Sequence, residues 1–149
     1  IGVDYLYFID SVMARFWVFK RNVKKLIRNL VEDRLHKYGM FLESKDFKRY
    51  RIPCPSRDYG HLVFLLKPGY GFHPSFFHKE DPPNALHGYD PAEPFMEGRL
   101  IIAPIKKENV LFQEASIIDI CPTALSLLNM SYNKAKREGH SVVNTTLRS

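Results

Sequence analysis

Residues 13–42, MARFWVFKRNVKKLIRNLVEDRLHKYGMFL, change their hydrophobic period twice in one short run. Met13–Phe19 alternates, with Trp17 and Phe19 on one face and Phe16 and Val18 on the other, the period of two that belongs to a strand. From Arg21 the apolar residues recur at helical spacing instead. Val23, Leu26, Ile27, Leu30, Val31 and Leu35 make one apolar face, while Lys24, Lys25, Arg28 and Arg34 fall mostly on the other side. Gly39 suits the position just past a helix end, and Met40–Leu42 then reads as a short strand. Strand, amphipathic helix and strand in direct succession predict a mixed domain, α+β or α/β.

The flanking segments follow the same rules. Val3–Ile9 is aromatic and β-branched, a strand that Asp10 and Ser11 can turn. Ser44 is expected to cap a short helix over 45–50, and the prolines of "IPCPSRDYG" (52–60) make a loop. "HLVFLL" (61–66) reads as a buried strand. Residues 68–94 are rich in Pro, Gly, His and Asp, a loop of a length that is unusual in a compact domain and often functional. "RLIIAP" (99–104) is predicted to be another buried strand. "IIDICPTALSLLNM" (117–130) is predicted to form a helix with Asp119 at its N-cap, Pro122 in its first turn and Ala124, Leu125 and Leu128 as its buried stripe. A polar tail follows from Ser131, with Val142–Val143 as a candidate last strand. The order is β-β-α-β-α-β, a long loop, then β-α.

An apolar content of 45% against 26% charged, over 149 residues, is enough to bury a core, which argues against a disordered or fibrous chain. The net charge of +6 favours an anionic partner such as nucleic acid, nucleotide or phosphate without choosing among them. Cys54 and Cys121 match no zinc-ligand spacing and read as reduced thiols, so the expected compartment is cytoplasmic. No stretch has the roughly 18 consecutive apolar residues of a membrane helix, and no membrane partner is expected. With Asp4, Asp10, Arg15 and Lys20 among them, the first 20 residues are not expected to be a signal peptide.

Four histidines, His61, His73, His78 and His87, share one window with Asp58, Glu80, Asp81 and Asp90. Imidazole and carboxylate are the usual ligands of zinc, but these spacings fit no closed motif, and loop histidines are commonly just solvated. His87 is the best single candidate. Gly88 after it lets the backbone pass close to an ion or substrate, and Pro82 and Pro83 stiffen the approach. The plain alternative is a turn histidine bonded to a carbonyl. Cys121 reads as an inert core cysteine. Asp10-Ser11 reads as a turn, since no base or glycine elbow accompanies the serine. The basic helix at 21–37 could lie on a phosphate backbone, but Glu32 and Asp33 interrupt its charge, so nucleic acid is the weaker expectation.

At His87 a family likeness enters. "LHGYDPAEPFMEGRLIIAP" resembles the last metal-ligand segment of the alkaline phosphatase superfamily, in its type I phosphodiesterase/nucleotide pyrophosphatase branch. His87, Gly88, Tyr89, Met96 and "RLIIAP" follow that pattern in order, and Asp119, Pro122 and Thr123 match the segment after it. The likeness covers Leu86–Met130, under a third of the chain. More loosely, "YLYFIDSVMARFWVF" and "HLVFLLKPGYGFHPSFF" resemble the small cap subdomain inserted before that histidine. The resemblance implies a cap-like α+β subdomain over 1–80. It also implies a C-terminal segment of an alkaline-phosphatase-like core over 81–149, the whole being a fragment of a larger domain. It implies a zinc-dependent hydrolase of phosphoric esters or pyrophosphates with two metal ions. His87 would be one metal ligand, with Gly88, Tyr89 and Asp90 shaping the loop. The nucleophile and the other ligands have no counterpart in these residues. They are expected in an N-terminal remainder, so the 149 residues alone should be inactive, with no catalytic residue among them. The rival expectation is a standalone α+β module that binds nucleic acid or another anion through a basic face.

Overall fold

The computed structural model describes residues 3–102, 114–131 and 138–143. The chain divides into two compact units, Ile1–Glu97 and Gly98–Ser149. The first is α+β. It runs β1 (Tyr5–Asp10), β2 (Met13–Val18), α1 (Arg21–Leu35), β3 (Gly39–Phe41), α2 (Ser44–Arg49) and β4 (Leu62–Leu66). The strands form one antiparallel sheet in the order β1-β2-β4-β3. The pleat turns Ala14, Phe16, Phe41, Leu62, Phe64 and Leu66 to one face, where Val23, Ile27, Val31 and Leu35 of α1 cover them. Val63 and Leu65 turn to the other face, under Phe47, Tyr50, Tyr59, Leu86, Tyr89 and Met96. Because both faces of β4 are covered, all five of its residues are buried, and the strand is an unbroken apolar run.

Several local expectations are corrected. Gly39 does not end α1, whose C-cap is His36. It opens β3, where an added Cβ would lie 2.5 Å from the Leu65 carbonyl oxygen and 2.6 Å from the Phe64 ring. The strand can cross there only without a side chain. Leu26 and Leu30 are not core residues. Leu26 is 65% exposed, because the sheet covers only the stripe that steps by four from Val23. Arg28 reaches over the Phe41 ring at 4.9 Å and pairs with Glu43 at 2.7 Å, closing the side of that stripe. Helix α2 is capped by Glu43 rather than Ser44. Asp46 accepts from the Glu43 N–H at 2.9 Å in a reciprocal capping box.

The long loop after β4 has no regular element up to Glu93 but is tied down at intervals. Phe72 N–H donates to the Ser11 carbonyl at 2.7 Å, and Phe76 N–H to the Ile9 carbonyl at 2.8 Å. Compactness draws its boundary after Glu97, so the segment with His87 packs with the first unit.

In the second unit the expected strand at 99–104 does not form over 99–102. Those residues are irregular, and Ile101 is 83% exposed; Ala103 and Pro104 lie outside the described residues. The ladder that would hold such an apolar run is not supplied by any strand among the described residues. Helix α3 spans Ile120–Leu127 after a 3-10 turn at Ile117–Asp119. Its buried residues are Pro122 and Thr123, whereas Ala124 is exposed, Leu128 is 68% exposed and Cys121 is exposed rather than in a core. The reason is what α3 packs on. Asp119, nearly fully buried, accepts from the Ser116 N–H (2.8 Å) and the His140 N–H (2.8 Å), and Thr123 Oγ1 accepts from the Val142 N–H (3.1 Å). A short irregular segment at 138–143, not a strand, therefore lies on the Asp119–Thr123 side.

Candidate functional site

The loop with His87 is built from its neighbours. Leu86 packs into the second core cluster. Gly88 has φ of +91°, a conformation that favours glycine, and an added Cβ would meet the Val12 side chain at 3.3 Å. Tyr89 is buried beside Val12, Val63 and Leu65, and its hydroxyl donates to the Tyr70 carbonyl at 2.8 Å. Its ring meets Phe95 edge-on at 5.9 Å. Asp90 accepts from Tyr50 Oη at 2.7 Å, from the Ala92 N–H at 2.9 Å and from Arg49 at 3.4 Å. The imidazole of His87 is exposed between these fixed points.

The electrostatics of the Asp90 cluster are consistent. Burial pushes the Asp90 carboxyl up, but the Ala92 N–H, the Tyr50 hydroxyl and Arg49 together hold it below the usual carboxylate range. Tyr50 is pushed up to about 12, first by burial and then by its bond to Asp90. The pair is thus a neutral phenol donating to an ionised carboxylate.

The other histidines do not join His87. His61 accepts the Val18 N–H on Nδ1 at 2.8 Å, which commits it to bracing β2. The main chain of His78 closes a turn with Ser75 while its ring Nδ1 is buried without a hydrogen-bond partner, and His73 is exposed. Among the described residues no group of three His, Cys, Asp or Glu side chains is placed to hold a metal ion. Gly88 permits the loop of His87, Tyr89 anchors it and Asp90 clasps it to the end of α2.

Sequence reasoning missed the partners of Asp90, because Arg49 and Tyr50 lie some forty residues earlier. It also missed Arg15, whose guanidinium carbon sits over three rings, Phe8, Tyr59 and Trp17. A signal was present there, a single charge amid the alternating aromatics of β2. No helix among the described residues is long and apolar enough to cross a membrane. No family model, curated protein or solved structure matches this chain.

Proposed function

We propose that the chain is the cap and C-terminal portion of a metal-dependent phosphodiesterase or nucleotide pyrophosphatase-like hydrolase. His87 supplies one ligand to one ion of a two-zinc site, and the N-terminal remainder of the enzyme supplies the rest. The observation that carries this reading is an exposed imidazole on a loop fixed on both sides, by Leu86 before it and by Tyr89 and Asp90 after it. A ligand held in place before the ion arrives loses little entropy on binding. Zinc takes at least three protein ligands, and these residues offer one, so they are expected neither to hold the ion nor to hydrolyse substrate alone. When bound, the pair of cations stabilises the attacking and leaving oxygens of a phosphoester. The exposed apolar run Leu100–Ile102 supports a core sheet, of the α/β kind, that is completed by the remainder of the enzyme. From the two widely spaced cysteines we assign the enzyme to the cytoplasm.

The test is zinc content and phosphodiesterase activity of the full-length parent enzyme beside its His87→Ala variant. Loss of one zinc per molecule together with activity is the expected result, and unchanged metal and turnover would overturn the assignment.

One observation favours a second reading. Arg21, Lys24 and Lys25 are exposed on the outer side of α1. A standalone module would use them against nucleic acid or another polyanion, with affinity falling steeply as salt rises. Exposed Leu26 and Leu30, with Glu32 and Asp33, break up that surface and place this reading second. Absence of binding to single- or double-stranded nucleic acid at low salt removes it.

A further inference from the structure

Arg15 is the only charged residue in β2, and the pleat turns it to the same face as Phe8, directly across the β1–β2 pair. Its guanidinium carbon lies 4.9 Å from the Phe8 ring centre, 5.1 Å from that of Tyr59 and 5.6 Å from that of Trp17. Its Nε is sealed from solvent without a hydrogen-bond partner, while the two terminal nitrogens are not sealed. Among the described residues none accepts a hydrogen bond from this side chain, and no carboxylate lies within ion-pair distance of it. The contrast with Arg28, paired to Glu32 and Glu43, and Arg49, paired to Asp90, is direct. A guanidinium carries five donors, and buried donors left unmet are rare in folded proteins.

Next to this box lies a ledge of exposed rings. The Phe8 ring is 4.8 Å from Phe76 and 6.1 Å from Phe77, and the latter two side chains are 60% and 62% exposed. Their loop is pinned to β1 through the Phe76 N–H and the Ile9 carbonyl. The rings are therefore presented rather than loose.

We propose that Arg15, its three-ring box and the Phe76–Phe77 ledge form a binding site for a small aromatic anion. The anionic group, a phosphate or carboxylate, meets the guanidinium end-on. Sealing of Nε leaves the terminal nitrogens as the open edge of the fork, and that edge suits bidentate contact with paired oxygens. Cation–π contact with three rings fixes the fork in advance. The planar part of the ligand stacks on the exposed phenylalanines, an interaction that tolerates any flat ring. The site needs neither a metal nor any residue outside the first unit, so it stands or falls apart from the assignment of His87.

Trp17 is the only tryptophan of the chain and lies in the box, so its emission reports occupancy beside Arg15. The 149-residue chain is titrated with adenosine 5′-monophosphate and with phenyl phosphate, against adenosine, phenol and inorganic phosphate. At least one aromatic phosphate should give a saturable change at a concentration about tenfold or more below that needed by the separate parts, as expected when charge and ring bind together. The tighter of the two identifies a nucleotide or an aryl source. Arg15→Lys keeps the charge but loses the fork and should weaken binding about tenfold or more. Phe77→Ala, at an exposed position, should weaken it with an unchanged melting temperature, which separates ligand loss from unfolding. The site is refuted by no response to either aromatic phosphate at millimolar concentration, by inorganic phosphate binding as tightly as both, or by Phe77→Ala titrating as wild type.

Discussion

Tyr89 anchors the loop of His87, and two substitutions measure the anchor. Tyr89→Phe leaves the ring against Phe95 and the second core cluster and deletes only the 2.8 Å bond to the Tyr70 carbonyl. A hydrogen bond of this kind contributes about 0.5–1.5 kcal/mol net. Tyr70 itself is half exposed, so water can replace the lost donor and the loss should stay near 1 kcal/mol rather than the larger penalty of a buried, unmet carbonyl. Tyr89→Ala also empties the volume of the ring, which costs about 3–5 kcal/mol. That is a large share of the roughly 5–15 kcal/mol that holds an ordinary domain together. The assay is equilibrium urea unfolding followed by Trp17 emission, which lies in the same unit. With a denaturant slope of about 1–3 kcal/mol per molar, Tyr89→Phe should lower the midpoint by roughly 0.3–1 M at unchanged slope. Tyr89→Ala should lower it by several times as much. If Tyr89→Phe unfolds with the wild-type midpoint, the hydroxyl is not an anchor. If the two variants are equally destabilised, ring packing is not what holds the loop.

Three further outcomes follow from the geometry. Ile27→Ala should cost about 2–5 kcal/mol, whereas Leu26→Ala beside it should stay within about 0.5 kcal/mol, because the first is buried and the second exposed; paired urea curves decide this. Asp90 titrates below the usual carboxylate range, so the unfolded chain takes up the proton first. Its stabilisation is complete above the usual carboxylate pKa and is lost as pH falls through the depressed value. Tyr50→Phe should accordingly flatten the fall in melting temperature as the pH drops through and below the usual carboxylate range, and an unchanged slope would discount the Asp90 cluster. Gly139 has φ of +86°, and an added Cβ would run into the Ile118 carbonyl. Gly139→Ala should therefore release the 138–143 segment from α3, seen as faster hydrogen exchange at the His140 and Val142 amides, which donate to Asp119 and Thr123.

What was legible in the sequence is local, and what was not depends on residues far apart in the chain. The period of two in Met13–Val18, the period near four in Arg21–Leu35 and the apolar run of Leu62–Leu66 each record the environment of a single element, and each element formed. Leu26 and Leu30 belong to the apolar face by spacing yet stay exposed, because spacing gives the direction of such a face but not the width of the sheet that covers it. Gly39 looked like a helix stop because its need for no side chain comes from Phe64 and Leu65, on a strand formed much later in the chain. The candidate site follows the same rule. Spacing grouped four histidines, but His61 is committed by a bond to Val18, the ring of His78 keeps its Nδ1 buried without a hydrogen-bond partner, and His87 is held up by Tyr70 and Tyr50 through the residues after it. Arg15 is surrounded by Phe8, across a strand pair, and Tyr59, far along the chain. A charge in a strand pattern reads as solvated until those rings are placed around it. The surroundings of His87 and Arg15 are thus set by long-range pairing, as are those of His61 and Arg49, and such pairing leaves no mark in the spacing of residue types along the chain.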